Sequence, residues 1–312
     1  MGRKPVILVV QPLLAGLLPL LRDHYDAIAW WEEGSATRLD EVEALVAAGE
    51  FRLEPAWLET MPRLKLIACF TVGYDGVDVG WARSHGIAVA HAQDANGEDV
   101  ADLAIGLIIA HRRGIVEGDH MVRSGGWQPG PKRMTRSLGG ARLGIVGLGG
   151  IGMGIARRAE AMRMQVGWWG PRPKPDAPWP RAESLIELAR ESDILVAAPR
   201  AFAGNVGIID ARVMAALGPD GLLVNVSRGQ VVDEDALIAA LRSGALGGAA
   251  LDVFWEEPTT PARWVDVPQT VLAPHGGGAT DAAVARMTQM LFANLSAHFA
   301  GEPLPTPVRD AG

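Results

Sequence analysis

The stretch that decides the fold is Leu143-Gly-Ile-Val-Gly147-Leu-Gly149-Gly-Ile-Gly152. An apolar run typical of a buried strand leads directly into Gly-x-Gly-x-x-Gly, and helical sequence follows. Gly147 permits a tight turn, Gly149 lets the backbone approach a pyrophosphate, and Gly152 allows close packing of helix on strand. The N-terminus of the helix offers unpaired N–H groups to phosphates. The pattern predicts a dinucleotide-binding domain, whose loop contacts we assign to Gly147, Leu148, Gly149, Gly150, Ile151 and Gly152.

Short apolar strands alternate with helical stretches on both sides of this loop, which is typical of α/β layers built on parallel sheets. The second half of the chain offers six strands, as a doubly wound domain requires, near residues 143–146, 165–169, 194–198, 222–226, 249–253 and 271–273. The first half offers four, at about 6–10, 27–31, 64–70 and 87–90, which predict a separate small sheet. One long helix is predicted over about 98–123, and a last helix over about 281–299 is long enough to return to the first domain.

Composition narrows the class of protein. The 312 residues carry a net charge of -7, which argues against nucleic acid or an anionic membrane as the main partner. The single cysteine, Cys69, lies in an apolar run and is interpreted as a core residue. The chain start lacks the features of a signal peptide, and the apolar run 103–110 is too short to span a bilayer. We therefore expect a cytoplasmic protein, and no His/Cys/Asp/Glu cluster has metal-ligand spacing.

The end of the second strand of the dinucleotide domain bears on the cofactor. NAD sites usually carry an Asp or Glu there, about 20 residues after the glycine loop, to bind the ribose 2′-hydroxyl. The sequence instead runs Gly170-Pro-Arg172-Pro-Lys174, with two cations and no carboxylate before Asp176. Arg172 and Lys174 can clamp a 2′-phosphate, which favours NADP(H), with NAD(H) as a possible second cofactor. The alternative is that both cations are solvated loop charges.

Three polar residues follow strands of the same domain, where ligands of open α/β sheets bind. Arg228 follows the strand at 222–226, Glu257 follows the strand at 249–253, and His275 follows the strand at 271–273. A cation for a substrate carboxylate, a proton donor and a carboxylate partner for that donor are the set that reversible carbonyl reduction needs. Each residue alone also has a structural interpretation, as a surface charge, a helix cap or a loop histidine.

A fourth strand end lies in the first domain. The loop Phe70-Thr-Val72-Gly73-Tyr-Asp75 follows the strand at 64–70, and its glycine lets backbone N–H groups turn toward an anion. We expect this loop to form the second wall of a substrate cleft.

Together these stretches resemble the D-isomer-specific 2-hydroxyacid dehydrogenase family over nearly the whole chain. The matching segments are Thr71-Val-Gly-Tyr-Asp75, Glu98-Asp-Val-Ala-Asp-Leu-Ala-Ile-Gly-Leu107, the glycine loop, Asn225-Val-Ser-Arg-Gly229, Ala250-Leu-Asp-Val-Phe254 with Glu257-Pro258, and Ala273-Pro-His275. Because of Arg172 and Lys174, the chain is most similar to the NADPH-preferring glyoxylate/hydroxypyruvate reductase branch.

The resemblance implies a fold and a set of roles. It implies two doubly wound parallel-sheet domains, with a Rossmann cofactor domain (99–286) inserted in a flavodoxin-like substrate domain (1–98 and 287–312). It implies that Arg228, Glu257 and His275 form a catalytic triad and that Val72, Gly73 and Arg228 bind the substrate carboxylate. The further cofactor contacts that it implies are Val100, Ala198, Pro199, Val226, Ser227, Asp252, His275 and Gly277. It also implies a homodimer that forms through the cofactor domain and its long first helix.

The expected activity is reduction of a small 2-oxo acid to the D-2-hydroxy acid, with His275 as general acid/base. Two alternatives stay open at the level of sequence. One is a dinucleotide-sensing, non-catalytic regulatory protein on the same fold, and the other is a dehydrogenase for another small anion such as formate or phosphite.

Overall fold

A computed structural model describes residues 3–131 and 134–309 of the chain. The chain divides into a first unit, Met1–Asn96 with Asp281–Gly312, and a second unit, Gly97–Thr280. The sequence places these boundaries after residues 98 and 286, whereas the structure places them two and six residues earlier. The difference arises because two long helices begin at Gly97 and Asp281, and each belongs whole to one unit.

The first unit is built on a parallel sheet in the order β2-β1-β3-β4-β5, the flavodoxin-like order. Its strands are β1 Val6–Val9, β2 Asp26–Ala29, β3 Ala44–Ala47, β4 Leu66–Cys69 and β5 Ala88–Ala90. Its first helices are α1 Leu18–His24, α2 Pro55–Leu58 and α3 Val79–Ser84. Cys69 lies in the core at 3% exposure, and burial raises the pKa of its thiol to about 12. The interpretation of Cys69 as a core residue is therefore confirmed.

The second unit holds a parallel sheet in the order β7-β6-β8-β9-β10-β11. Its strands are β6 Arg142–Val146, β7 Gln165–Trp169, β8 Ile194–Ala197, β9 Leu222–Asn225, β10 Gly248–Leu251 and β11 Thr270–Leu272. Its helices are α4 Gly97–Arg112, α5 Ile115–Arg123, α6 Gly150–Ala161, α7 Leu185–Arg190, α8 Ala211–Leu217, α9 Glu234–Ser243 and α10 Pro261–Trp264. Arg181 forms a single parallel bridge to Trp168. Counting that segment as a short third strand gives seven strands in the order 3-2-1-4-5-6-7, which contains the dinucleotide-binding order 3-2-1-4-5-6 and adds β11 at its edge.

The last helix, α11 Asp281–Ala300, returns the chain to the first unit and buries Met287, Leu291 and Leu295 in its core. The predicted architecture of two doubly wound parallel sheets is confirmed. Within the described ranges 3–131 and 134–309, no helix combines the length and apolar character needed to cross a bilayer.

Two predictions about single elements were wrong. The helix expected over about 98–123 is broken into α4 and α5, because Gly114 takes a left-handed φ of +58° that ends the first helix. The strand β3 was missed, because its Ala-Leu-Val-Ala sequence has no alternating pattern. All four residues of β3 are buried between β1 and β4.

Candidate active site

The glycine loop after β6 takes the geometry that its sequence predicts. Gly147 has a left-handed φ of +89°, and a Cβ placed on it would lie 2.6 Å from the Cα of Pro199. A Cβ on Gly152 would lie 2.2 Å from the carbonyl oxygen of Gly147, so this helix position must lack a side chain. A Cβ on Gly149 would meet nothing within 4 Å. The protein's own packing therefore requires Gly147 and Gly152 but leaves the space beside Gly149 open for a ligand.

The N-terminus of α6 faces that open space with unused N–H groups. The first helical bond is donated by the Met153 N–H to the Gly149 carbonyl, at 2.9 Å. The N–H groups of Gly150, Ile151 and Gly152 donate to no acceptor among the described residues. Leu148, at 2% exposure, turns its side chain into the core and can offer only its backbone to a ligand. These features fit a pyrophosphate at the loop.

The neighbouring strand ends contribute the rest of the expected cofactor groove. Ala198 and Val226 are buried, while Pro199 is partly exposed beside Gly147. The Ser227 hydroxyl donates to the Pro199 carbonyl, and the Ser227 N–H donates to Asn225 Oδ1 at 3.1 Å. Ser227 thus ties the loop after β9 to the loop after β8.

The cations after β7 are accessible. Arg172 and Lys174 are both exposed. The turn that carries them is held by a residue the sequence did not single out, because Arg181 Nη2 donates to the Gly170 carbonyl at 2.7 Å. The Arg181 guanidinium also lies 5.8 Å from the centre of the Trp168 ring. Arg181 therefore adds a third positive charge to this turn.

The central feature of the second unit is a histidine–carboxylate pair. His275 Nδ1 lies 2.5 Å from Glu257 Oε2, and Glu257 Oε1 accepts the N–H of Phe254 at 2.9 Å. His275 has a left-handed φ of +51°, and its own N–H donates to the Asp252 carbonyl at 2.8 Å. With Nδ1 engaged, the Nε2 atom of the imidazole is the one left for a substrate.

The pair shifts the protonation equilibria of both partners. The hydrogen bond to Glu257 raises the pKa of His275, and this effect outweighs burial, which acts in the opposite direction. Burial alone would raise the pKa of Glu257, but the hydrogen bonds from His275 and from the Phe254 N–H lower it on balance. Both shifts move the protonation equilibrium toward an imidazolium beside a carboxylate.

Arg228 lies near both members of the pair. Its charge further lowers the pKa of Glu257 and acts against protonation of His275. The Nη1 atom of Arg228 donates to the Ser227 carbonyl at 2.9 Å, and Asn225 Nδ2 donates to the carbonyl of Arg228 at 3.0 Å. The three predicted strand-end residues are thus brought together at one edge of the second sheet.

Asp252 organises the loop that carries His275. This carboxylate is 2% exposed, and its oxygens accept the N–H groups of Gly276 at 2.7 Å and Gly277 at 2.9 Å. A Cβ on Gly277 would lie 2.9 Å from Asp252 Oδ2 and 3.4 Å from Val100 Cγ2. Val100 and Gly277 therefore line the same end of the sheet as His275.

In the first unit, the loop after β4 presents backbone donors. The carbonyl of Val72 lies 2.8 Å from His91 Nδ1, and the Thr71 hydroxyl donates to Glu50 Oε2 and accepts the Gly49 N–H. Within the described part of the chain, the N–H groups of Val72 and Gly73 have no protein acceptor. The loop is held by its carbonyls and by Thr71, and two adjacent N–H groups stay available for an anion.

Comparison with known proteins decides the family. The family model described as D-isomer specific 2-hydroxyacid dehydrogenase, NAD binding domain, matches residues 105–277. This chain belongs to that family. It is 38% identical to glyoxylate/hydroxypyruvate reductase A of Arabidopsis thaliana over 307 residues, which cover 97% of this chain and 98% of the relative.

Two solved structures show the same fold over the whole length of this dehydrogenase. The 2-hydroxyacid dehydrogenase of Ketogulonicigenium vulgare Y25 has a TM-score of 0.92 and 39% identity, with 99% of each chain covered. The NADPH-dependent glyoxylate/hydroxypyruvate reductase of Sinorhizobium meliloti, in complex with NADP and malonate, has a TM-score of 0.90 and 33% identity, with 99% and 100% covered. The predicted family and the class of enzyme, a D-2-hydroxyacid dehydrogenase, are confirmed.

The sequence did not identify the residues of this dehydrogenase that bind the backbone of the site loops. Neither His91 beneath Val72 nor Glu234 beside the Glu257 loop was identified as functional. Their partners are backbone groups distant in sequence, so no local motif marks them. Gly229, which lies against the backbone of Phe254, belongs to the family-like segment Asn225-Val-Ser-Arg-Gly229, so the sequence did contain a signal for it.

Proposed function

We propose that this dehydrogenase reduces a small 2-oxo acid of the glyoxylate or hydroxypyruvate type to its D-2-hydroxy acid, with NADPH as the hydride donor. The observation that carries the proposal is the 2.5 Å contact of His275 with Glu257, beside Arg228 and on the sheet that carries the glycine loop. The name of the Arabidopsis relative supports the substrate class.

His275 acts as the general acid of the reduction. In its protonated form it donates Nδ1–H to Glu257 and keeps Nε2–H for the carbonyl oxygen of the substrate. Glu257 stabilises the imidazolium and fixes the orientation of the ring. In the reverse direction the neutral imidazole accepts the hydroxyl proton.

Arg228 and the Val72 loop recognise the substrate. A guanidinium binds a carboxylate and polarises the adjacent carbonyl, which is the role proposed for Arg228. The two available N–H groups of Val72 and Gly73 support their assignment to the substrate carboxylate.

NADPH is the proposed cofactor. The glycine loop and the first N–H groups of α6 hold its pyrophosphate, and Arg172 and Lys174 hold its 2′-phosphate. Val100, Asp252 and Gly277 stay assigned to the nicotinamide end, and Ala198, Pro199, Val226 and Ser227 to the groove. The bound cofactor supplies the hydride. The NADP complex of the Sinorhizobium relative supports this preference over NADH.

The test follows the loss of reduced-nicotinamide absorbance, with NADPH and NADH offered separately against glyoxylate, hydroxypyruvate and phenylpyruvate. We expect turnover that prefers NADPH and is lost in His275→Ala, whereas His85→Ala, an exposed histidine at the end of α3, keeps wild-type rates. No turnover with any acid, despite tight binding of NADPH, would support a non-catalytic dinucleotide sensor instead. Turnover of formate or phosphite alone would replace the substrate class.

A homodimer is the proposed assembly. Helix α5 has no buried residue in the described chain, and its apolar side chains Ile115, Val116, Met121 and Val122 are exposed. A second copy of this chain would cover that face, as the family resemblance implies. The cytoplasmic location expected from the sequence stays a prediction.

A further inference from the structure

We infer that Glu234 is a positioning residue that clamps the Glu257 loop onto the Arg228 segment. The inference rests on the proposed function, because it concerns the residues assigned to proton transfer and substrate binding. Glu234 is the first residue of α9, which follows Arg228 by a short 3-10 turn at Gly229–Val231. It touches none of the proposed reacting groups and acts through the backbone at Trp255.

The clamp consists of two side chains that bind the two polar backbone groups of Trp255, its N–H and its carbonyl. Glu234 Oε2 accepts the N–H of Trp255 at 2.8 Å. Gln230 Nε2 donates to the carbonyl of Trp255 at 3.0 Å. Both side chains come from the segment just after Arg228, so both polar backbone groups of Trp255 are tied to that segment.

The two segments also meet without space between them. A Cβ on Gly229 would lie 1.8 Å from the carbonyl oxygen of Phe254 and 2.4 Å from the nitrogen of Trp255. The neighbouring N–H of Phe254 is the donor that orients Glu257 Oε1. A displacement of the Trp255 peptide therefore moves the donor that holds Glu257, and with it the partner of His275.

Glu234 is a buried carboxylate that is paired with an arginine. Glu234 is 6% exposed, and its Oε1 pairs with Arg263 Nε. Arg263 is also held by Asp235 at 2.7 Å, although the Asp235 side chain is 87% exposed. Removing a buried carboxylate from a paired arginine is far more disruptive than removing an exposed one. Asp235 binds the same arginine but, among the described residues, forms no hydrogen bond with the Glu257 loop, so it is the matched control.

The decisive experiment compares Glu234→Leu with Asp235→Asn in the full-length protein. Leucine is close to glutamate in size but has no acceptor, so Glu234→Leu loses the bonds from both Trp255 and Arg263. We expect kcat for glyoxylate reduction to fall by roughly tenfold or more, since small misplacements of reacting groups cost up to about 10²-fold in rate. NADPH affinity should stay within about twofold, and Asp235→Asn should match wild type.

The second readout is the titration of His275 by NMR, which needs no turnover. The charged groups facing His275 are Glu257, Arg228 and Asp252, and none of them changes in either variant. We expect Glu234→Leu to lower the pKa of His275, because the loosened Glu257 holds the imidazolium less well, and Asp235→Asn to leave it unchanged. The high-pH limb of kcat/KM for reduction should move to lower pH in parallel.

The outcomes separate the clamp from the proposed function. A folded Glu234→Leu protein with wild-type kcat and His275 titration would overturn the clamp, even if its melting temperature fell. Absence of turnover in wild type would overturn the proposed function, while the NMR titration would still decide the clamp. If Glu234→Leu fails to fold, Gln230→Leu at an exposed position carries the test, and an unchanged His275 titration in that variant would refute the inference.

Discussion

Gly149 and Gly152, three residues apart in the glycine motif, should respond differently to replacement by alanine: one substitution should lower stability and the other should weaken cofactor binding. In Gly152→Ala, the new methyl group lies 2.2 Å from the Gly147 carbonyl oxygen and 3.3 Å from Ile145 Cγ2. The Gly147 oxygen is a backbone atom of the tight turn and cannot rotate away. Overpacking of this kind costs about 1–3 kcal/mol of unfolding free energy. The melting temperature of the apoprotein should therefore fall by roughly 3–10 °C.

Gly149→Ala should leave stability intact and damage cofactor binding. Its φ of -78° suits alanine, and the new methyl group meets no protein atom within 4 Å. The loss of glycine freedom in the unfolded chain contributes about 0.4–1 kcal/mol, and alanine is a poorer N-cap than glycine by a similar amount. The methyl group projects instead where the pyrophosphate is proposed to lie. We expect the Kd for NADPH to rise at least about tenfold, or about 1.4 kcal/mol.

Thermal unfolding with and without NADPH measures both effects in one assay. At an NADPH concentration of about 100 times the wild-type Kd, binding stabilises wild type by about 2.7 kcal/mol and a variant with tenfold weaker binding by about 1.4 kcal/mol. Gly106→Ala is the control, because Gly106 lies in α4 with open space around it. Wild-type NADPH affinity in Gly149→Ala would refute the placement of the pyrophosphate. An unchanged melting temperature in Gly152→Ala would refute the packing argument.

Four further changes test the rest of the site. Glu257→Gln removes the charge that raises the pKa of His275, so the high-pH limb of reduction should move to lower pH, and an unmoved limb would contradict the pairing. Arg172→Ala should weaken NADPH more than NADH in kcat/KM, and equal losses for both cofactors would argue against the 2′-phosphate clamp. Thr71→Val removes the hydroxyl that binds Glu50 and Gly49, so KM for glyoxylate should rise several-fold at constant NADPH affinity; a change in NADPH affinity alone would count against this role. Val122→Asp places a charge on the exposed face of α5 and should give monomers in size-exclusion chromatography, whereas a persistent dimer would show that another face is used.

Part of this protein can be predicted from short stretches of sequence because their physical requirements are local. A left-handed turn and a close helix–strand contact require glycine at particular positions. Gly147 and Gly152 therefore predict the turn and the close contact from local sequence alone. Parallel strands all end at one edge of their sheet, so residues just after apolar runs can be assigned to that edge. This rule is enough to nominate Arg228, Glu257 and His275 together.

Other features were decided only by the tertiary structure, because they depend on groups far apart in the chain. The residues of β3 form a strand because the sheet needs a buried segment between β1 and β4, and burial there outweighs local pattern. The 2.5 Å contact between His275 and Glu257 requires two loops 18 residues apart to converge. The support of Glu257 through Trp255 by Glu234 uses a backbone N–H, which has no signature in sequence. The sequence by itself determined the fold class and the residue types of the site, and the packing of neighbouring strand ends determined which atoms meet.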